Sequence, residues 1–273
     1  MSWRASVLRV LACALAIGGL DPGGGAGIAA DLRAFAVAGA FGCAAVSLVT
    51  IQSTAGLVAA RPFSAREVAA QALEVMRHQR VRAVKVGALG SVENVRAVAR
   101  LLAGQRDLSV VVDTPILPTR GRARLLAKPA LSVLRDELLP LATLATVNVA
   151  EAQALLGERI ATVGEAHDAA RALAGTGARA VLVKGGHLKG PYAIDVLAVD
   201  GEVVELRARR LHVGPVHGAG CILASLIAGR LANAATPPDR DALVGAIRWA
   251  KRVHHGAMAR AASVGQGLRV LVF

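Results

Sequence analysis

Short apolar, β-branched runs alternate with amphipathic stretches along almost the whole chain, and this alternation restricts the fold more than any other feature. Strands are expected over residues 7–18, 43–50, 83–89, 108–113, 141–147 and 178–184. Helices are expected over 26–38, 64–79, 91–103, 124–139, 151–156 and 163–175. Ser64 with Glu67 three residues on reads as a capping box that starts the second helix. Successive βαβ units close into a parallel sheet through crossovers of one hand. The expected class is therefore α/β: a three-layer, doubly wound, mostly parallel sheet with helices on both faces. The pattern changes late, where strands 203–209 and 193–199 flank Asp200-Gly201, a two-residue hairpin signal that adds antiparallel strands. Helices 218–231 and 238–262 and a strand 268–272 follow. No repeat or low-complexity linker interrupts the sequence, so residues 1–273 are expected to form a single domain. Apolar residues make up 54% of the chain but aromatics only 3%, so the core must come from Ala, Val, Leu and Ile, which suits a sheet covered on both faces.

Arg4 and Arg9 flank an apolar stretch, 10–17, in the manner of a signal peptide. That stretch runs straight into a glycine loop and a helix, which favours a buried first strand. No later segment has the roughly 20 uninterrupted apolar residues of a membrane span, so no membrane partner is expected. The formal charge is +13, carried mainly by Arg. There is no long basic run and almost no aromatic residue to stack on bases, so no nucleic-acid partner is expected. The positive field favours anionic small ligands. Three irregularly spaced cysteines, Cys13, Cys43 and Cys221, do not form a disulfide framework and suit a reducing, cytoplasmic compartment.

Four loops after strands could carry chemistry. The first, 18–27, is Gly-Gly-Leu-Asp-Pro-Gly-Gly-Gly-Ala-Gly. Gly25, Gly27 and Ala30 satisfy a dinucleotide fingerprint, but the second strand ends Val49-Thr50-Ile51-Gln52, without the acid that would hold a ribose. What remains is a turn for close helix packing, or a loop whose backbone meets a small substrate. The second loop, Val216-His217-Gly218-Ala219-Gly220-Cys221, opens a long apolar helix. Its N–H groups and the helix N-terminus suit an anion, above all a phosphoryl group in transfer. Cys221 in the first turn is expected to favour its thiolate and could take a proton from a hydroxyl; it could equally be a buried structural Cys. The third, Asn148-Val149-Ala150-Glu151, offers two hard oxygen donors for Mg²⁺, but these four residues by themselves favour a capping pair. The fourth, Val183-Lys184-Gly185-Gly186-His187, is either an ordinary turn or a border for nucleotide phosphates or base. His254-His255 is read as solvated or packed within a helix, and no Cys/His spacing suggests zinc.

In this order and spacing, these loops resemble the hydroxymethylpyrimidine/phosphomethylpyrimidine kinases of thiamine synthesis, within the ribokinase-like superfamily. The matching segments are Gly19-Leu20-Asp21-Pro22, Gly24-Gly25-Ala26-Gly27-Ile28, Ala30-Asp31-Leu32, Gly39-Ala40-Phe41-Gly42, Gln52 and Lys85-Val86-Gly87. Val112-Asp113, Asn148 with Glu151, Lys184-Gly185-Gly186-His187, His217-Gly218, Gly220-Cys221 and Val264-Gly265-Gln266-Gly267 continue them. The resemblance implies a ribokinase-like fold and an ATP- and Mg²⁺-dependent kinase acting on the hydroxymethyl group of hydroxymethylpyrimidine, with its monophosphate as a second acceptor. It implies an anion hole over Gly218, Ala219, Gly220 and Cys221, with Cys221 as the general base. Gly19, Asp31, Gln52, Ala88 and Pro115 would line the substrate pocket, and the Gln52 amide matches an aminopyrimidine edge. Lys184, Gly186 and His217 would border the nucleotide, Asn148 and Glu151 would position Mg²⁺, and the protein would be a homodimer. A related group of pyridoxal kinases shares the Cys, and a non-catalytic pyrimidine binder is a further alternative. The chain departs from the family pattern at Ala219 and Ile222, where Thr is usual, at Ala88, where Met is usual, and over 114–121. There the family Lys is missing, and Arg120, Arg122 or Arg124 would stand in for it.

Overall fold

The computed structural model describes residues 10–113, 115–116, 120–121, 124–235 and 237–273. The chain runs β1 (Cys13–Leu20), α1 (Gly27–Val37), β2 (Phe41–Ser53), β3 (Gly56–Pro62), α2 (Ala65–His78), β4 (Val81–Val86), α3 (Val92–Leu102) and β5 (Ser109–Asp113). Next come α4 (Ala130–Val133), extended by one π-helical and one 3-10 turn to Leu141, then β6 (Leu144–Asn148), α5 (Val149–Leu156), α6 (Val163–Ala174) and β7 (Ala180–Lys184). The last elements are β8 (Tyr192–Val199), β9 (Glu202–Arg209), β10 (Val216–His217), α7 (Ala219–Ala232), α8 (Arg240–Ala259) and β11 (Arg269–Val270).

Nine strands form one sheet in the order β3-β2-β1-β4-β5-β6-β7-β8-β9. The strands from β2 to β7 are parallel, whereas β3, β8 and β9 are antiparallel to their neighbours. Side chains alternate across the sheet. On β1, Leu15 and Ile17 join a core with Val68, Val95, Leu134 and Leu173, from α2, α3, α6 and the π turn. Ala14 and Ala16 face the other way, against Phe35, Ile227 and Ile247 of α1, α7 and α8. The small residues on that face let α1 and α7 lie close. Where they cross, a Cβ on Gly229 would stand 2.8 Å from the Ala38 Cβ. The three-layer, doubly wound arrangement is the expected one.

The late hairpin is also as expected, with φ of 49° at Asp200 and 81° at Gly201, the pair of positive values a type I′ turn needs. Ser64 and Glu67 form their capping box. Four expectations change. β3 was not anticipated: its Gly-Leu-Val-Ala-Ala-Arg-Pro sequence has little strand propensity, and an edge strand is where Pro is tolerated. The helix expected over 124–139 starts only at Ala130, because Pro129 biases its predecessor away from the helical region. The N–H groups of Leu125 and Ala127 instead meet the carbonyls of Ile116 and Gly90. The first strand begins at Cys13, and residues 7–9 lie outside the described residues. The terminal strand stays out of the main sheet: β11 pairs with β10, His217 against Val270.

β1 sits between β2 and β4, where successive connections leave in opposite directions. This is the switch point of the sheet, the place where a crevice opens beyond the carboxyl ends of the strands.

Candidate active site

A cavity of about 600 Å³ runs along that edge, a size that suits small-molecule ligands. It is lined from Gly19, Gln52, Ala88 and Pro115 at one end to Gly186 and His255 at the other, with the 217–221 loop on its wall.

Two glycine loops interlock at the first end. Asp21 accepts from the N–H groups of Gly23 at 2.8 Å and Ala26 at 3.0 Å, which shapes the loop after β1. The imidazole of His217 donates from Nε2 to Asp21 Oδ2 at 2.7 Å, and Gln52 Nε2 lies 3.3 Å from the same nitrogen. Burial works to raise the Asp21 carboxyl, but His217 and the two N–H donors hold it below its usual range. Contact between the loops depends on glycine: a Cβ on Gly25 would stand 2.3 Å from His217 Cδ2, and one on Gly218 would stand 2.1 Å from the Gly25 carbonyl oxygen. Gly218 has φ of 73° and caps the N-terminus of α7. His217, assigned above to the nucleotide border, is buried between Asp21 and Gln52 and so sits with the residues assigned to the substrate.

Asp31 does not line the cavity. It is fully buried beneath it, paired with Lys85 at 3.1 Å, and this removes it from direct contact with a bound molecule. Lys85 itself reaches the cavity. Burial works against the charge on Lys85, but Asp31 outweighs it and raises the pKa above the ordinary lysine value.

The expectation that the first turn of α7 favours the Cys221 thiolate is not met. The side chain opens on the cavity at the first turn of α7, yet burial pushes its thiol up to about 12. Lys85 and Lys184 pull the other way, and Asp113 and Asp31 add to the rise. The local effect of a helix N-terminus is smaller than the cost of moving a thiolate out of water.

Lys184 ends β7 and donates to Asp113 Oδ1 at 2.9 Å, with Glu151 Oε2 at 4.0 Å. Burial of Asp113 raises its carboxyl, but Lys184 and Lys85 more than offset this and hold it below the usual range. The Lys184 ammonium lies against the anion loop, only 3.3 Å from where a Cβ on Gly220 would be. Asn148 and Glu151 form the capping box: Asn148 N–H donates to Glu151 Oε2 at 2.7 Å and Glu151 N–H to Asn148 Oδ1 at 2.9 Å. Both also line the cavity, as does Asp113. Among the described residues, no three His, Cys, Asp or Glu side chains gather as a closed metal site. Two carboxylates on a shared wall fit Mg²⁺ all the same, because that ion takes one or two carboxylates and completes its shell with phosphates and water.

At the far end, the loop after β7 is tied down. A Cβ on Gly185 would meet the Ile194 carbonyl oxygen at 1.8 Å, and Gly185 N–H donates to Asp195 Oδ1 at 2.9 Å. Lys251 Nζ lies 2.5 Å from the other oxygen of Asp195. The Arg210 guanidinium donates to the carbonyls of Gly186, Leu188, Gly190 and Tyr192. His254 is held neutral, pushed down to about 4 by burial, and donates to the Ala219 carbonyl at 2.9 Å; His255 donates to that of Arg209. Both histidines line the cavity, a placement no local signal in an α8 sequence could give. Asp21, Lys85, Asp195, Arg210 and Lys251 were likewise not singled out. Of these, Asp21 and Lys85 lie in segments that carry the family resemblance. Pro115 lines the cavity, but neither Arg120 nor Arg124 does, and Thr114 and Arg122 lie outside the described residues.

Residues 21–271 match the family model described as phosphomethylpyrimidine kinase. The chain is 41% identical over 263 residues to the hydroxymethylpyrimidine/phosphomethylpyrimidine kinase of Rhizobium meliloti, covering 94% of each sequence. It is 35% identical to the protein of that name from Haemophilus influenzae, covering 93% of each. Among solved structures it is similar to an ADP complex of Bacillus subtilis pyridoxal kinase, with a TM-score of 0.84, 28% identity and 96% of each chain covered. It is also similar to the phosphomethylpyrimidine kinase of Clostridium difficile, with a TM-score of 0.73, 28% identity, and 90% of this chain and 99% of that one covered.

Proposed function

The chain belongs to the phosphomethylpyrimidine kinase family, and we propose that it transfers the γ-phosphate of ATP to the hydroxymethyl group of hydroxymethylpyrimidine in thiamine synthesis. The observation that carries the reading is one continuous cavity with the anion loop on its wall. Gly19, Gln52, Ala88 and Pro115 line one end, and Asn148, Glu151, Lys184 and Gly186 the other. A ring-bearing alcohol and a nucleotide can therefore meet at Cys221.

Cys221 Sγ, as thiolate, takes the proton of the substrate hydroxyl. The oxygen then attacks the γ-phosphorus as the bond to the ADP oxygen breaks, in line. Gly218 to Cys221 line the cavity at the start of α7, and this reading assigns their N–H groups to the transferring oxygens, which carry spread charge, with the Lys184 ammonium adding to that field. Ala219 removes the usual Thr hydroxyl but leaves the backbone donors in place. Asn148, Glu151 and Asp113 would hold Mg²⁺, which neutralises phosphate charge when bound. Gln52 presents an amide able both to donate and to accept along an aminopyrimidine edge, and the buried Asp21–His217 pair fixes the wall beside it. The reading includes a single domain and a homodimer. Val49, Ile51 and Val58, exposed on the β2–β3 hairpin at the sheet edge, supply apolar surface for the dimer.

The similarity to a pyridoxal kinase sets the competing reading. Purified protein should be given Mg-ATP with hydroxymethylpyrimidine, its monophosphate or pyridoxal in turn, with products weighed by mass spectrometry. The expected result is hydroxymethylpyrimidine monophosphate, with kcat/KM at least about tenfold above that for pyridoxal, the size of discrimination that one or two pocket contacts can supply. A higher kcat/KM for pyridoxal would replace the assignment. Pyrimidine binding without any product would make the protein a binder.

A further inference from the structure

Beneath the cavity wall lies a charged group that the reaction described above does not use. Lys85 on β4 is 1% exposed and donates to both oxygens of Asp31, each at 3.1 Å. Asp31 on α1 also accepts from Ser225 Oγ at 2.6 Å, and that hydroxyl lies 2.9 Å from the carbonyl oxygen of Cys221, one turn earlier on α7. A Cβ at Gly87 would stand 2.9 Å from Lys85 Nζ, so the backbone there leaves room for the ammonium. Three elements thus converge to hold one positive charge at the edge of the cavity. A buried ion pair adds little stability over apolar side chains of the same volume, so packing alone does not account for it.

Charges that act on the Cys221 thiol include Lys85 on β4, Asp31 on α1, Asp113 on β5 and Lys184 on β7, with Glu151 on α5 4.0 Å beyond Lys184 in the same cavity wall. Removing Lys85 leaves these surroundings one unit more negative before the thiol ionises, which opposes a thiolate. Removing Asp31 leaves them one unit more positive, which favours one.

We propose that Lys85 is a positioning residue for the base: anchored by Asp31 and Ser225, it supplies the fixed positive charge that lets Cys221 hold a thiolate in a site with little water. This rests on Cys221 acting as the base. In the transfer step the thiolate gains the hydroxyl proton, and its negative charge passes to the substrate oxygen and then to ADP as the O–P bond forms. Lys85 neither gains nor loses a proton.

The test reads the thiol, without turnover. Cys221 is alkylated with iodoacetamide at fixed pH in the protein free of ligands, and peptide mapping separates it from the buried Cys13 and Cys43. Removing a neighbouring opposite charge moves an ionisation by about one unit or more, so Lys85→Met should slow Cys221 alkylation about tenfold, and Asp31→Asn should speed it. A purely structural role would move both variants in the same direction. If Lys85→Met alone does not fold because Asp31 is left unpaired, the comparison moves to Asp31→Asn against Asp31→Asn/Lys85→Met. The double variant should again react about tenfold more slowly, since the charge removed is the same. Equal rates in either pair of folded proteins overturn the proposal. Because no substrate is present, that failure is separate from a failure of the kinase reading, which the product assay decides.

Discussion

Cys221→Ala is expected to lower kcat by about 100- to 10,000-fold, the range that a positioned general base supplies. The fold should survive, since Cys221 is half-buried at the first turn of α7 and Ala is a good helix former. Urea unfolding should therefore give a stability within about 1 kcal/mol of the parent, as for most changes that open no large cavity. The pH profile carries the sign of the mechanism. With the thiol pushed up to about 12, ordinary working pH lies below its pKa, and each unit of pH raises the thiolate fraction about tenfold. Log kcat/KM should accordingly rise with a slope near one from neutral into alkaline solution, and the slope should vanish in Cys221→Ala. A flat wild-type profile, or near-normal turnover in the variant, would return Cys221 to a structural role.

Gly218→Ala should be nearly as damaging, through the backbone. At φ of 73° a side chain is strained by about 1–3 kcal/mol, and here its Cβ would also lie 2.1 Å from the Gly25 carbonyl oxygen. Neither partner is a flexible side chain, so the 18–27 loop and the anion loop must separate. A displacement of an ångström at a reacting centre costs about 100-fold in rate. We expect at least that loss in kcat/KM, together with a lower urea midpoint. Gly220→Ala provides the contrast, because its Cβ would meet only the end of Lys184, which can shift. Equal losses in the two variants would show that the clash with Gly25 is not what matters.

What was legible in the sequence was whatever the backbone alone decides. The strand–helix alternation, the Asp200-Gly201 turn and the glycines at 218 and 220 leave a mark in residue type, because φ and close approach restrict it. Misreadings arose where the answer depended on distant groups. The family resemblance places Asp31 in the substrate pocket, but Lys85, 54 positions on, draws it under the sheet edge. The first turn of α7 suggested an acidic thiol, and burial reversed that. His254 and His255 read as ordinary helix residues because nothing local shows that α8 packs beside the anion loop. β3 was invisible because pairing with β2, rather than its own composition, makes it a strand. The same limit applies to Asn148 and Glu151: the capping box that the four residues favoured is present, and it also faces the cavity.

Transfer to an alcohol, rather than to water, is the claim on which the rest depends. The direct measurement supplies the wild-type protein with Mg-ATP labelled in its γ-phosphate and with hydroxymethylpyrimidine, and follows label and ADP together. The site described here predicts that label appears in the pyrimidine phosphate ester in step with ADP. Label recovered only as inorganic phosphate, or left in ATP, would contradict it.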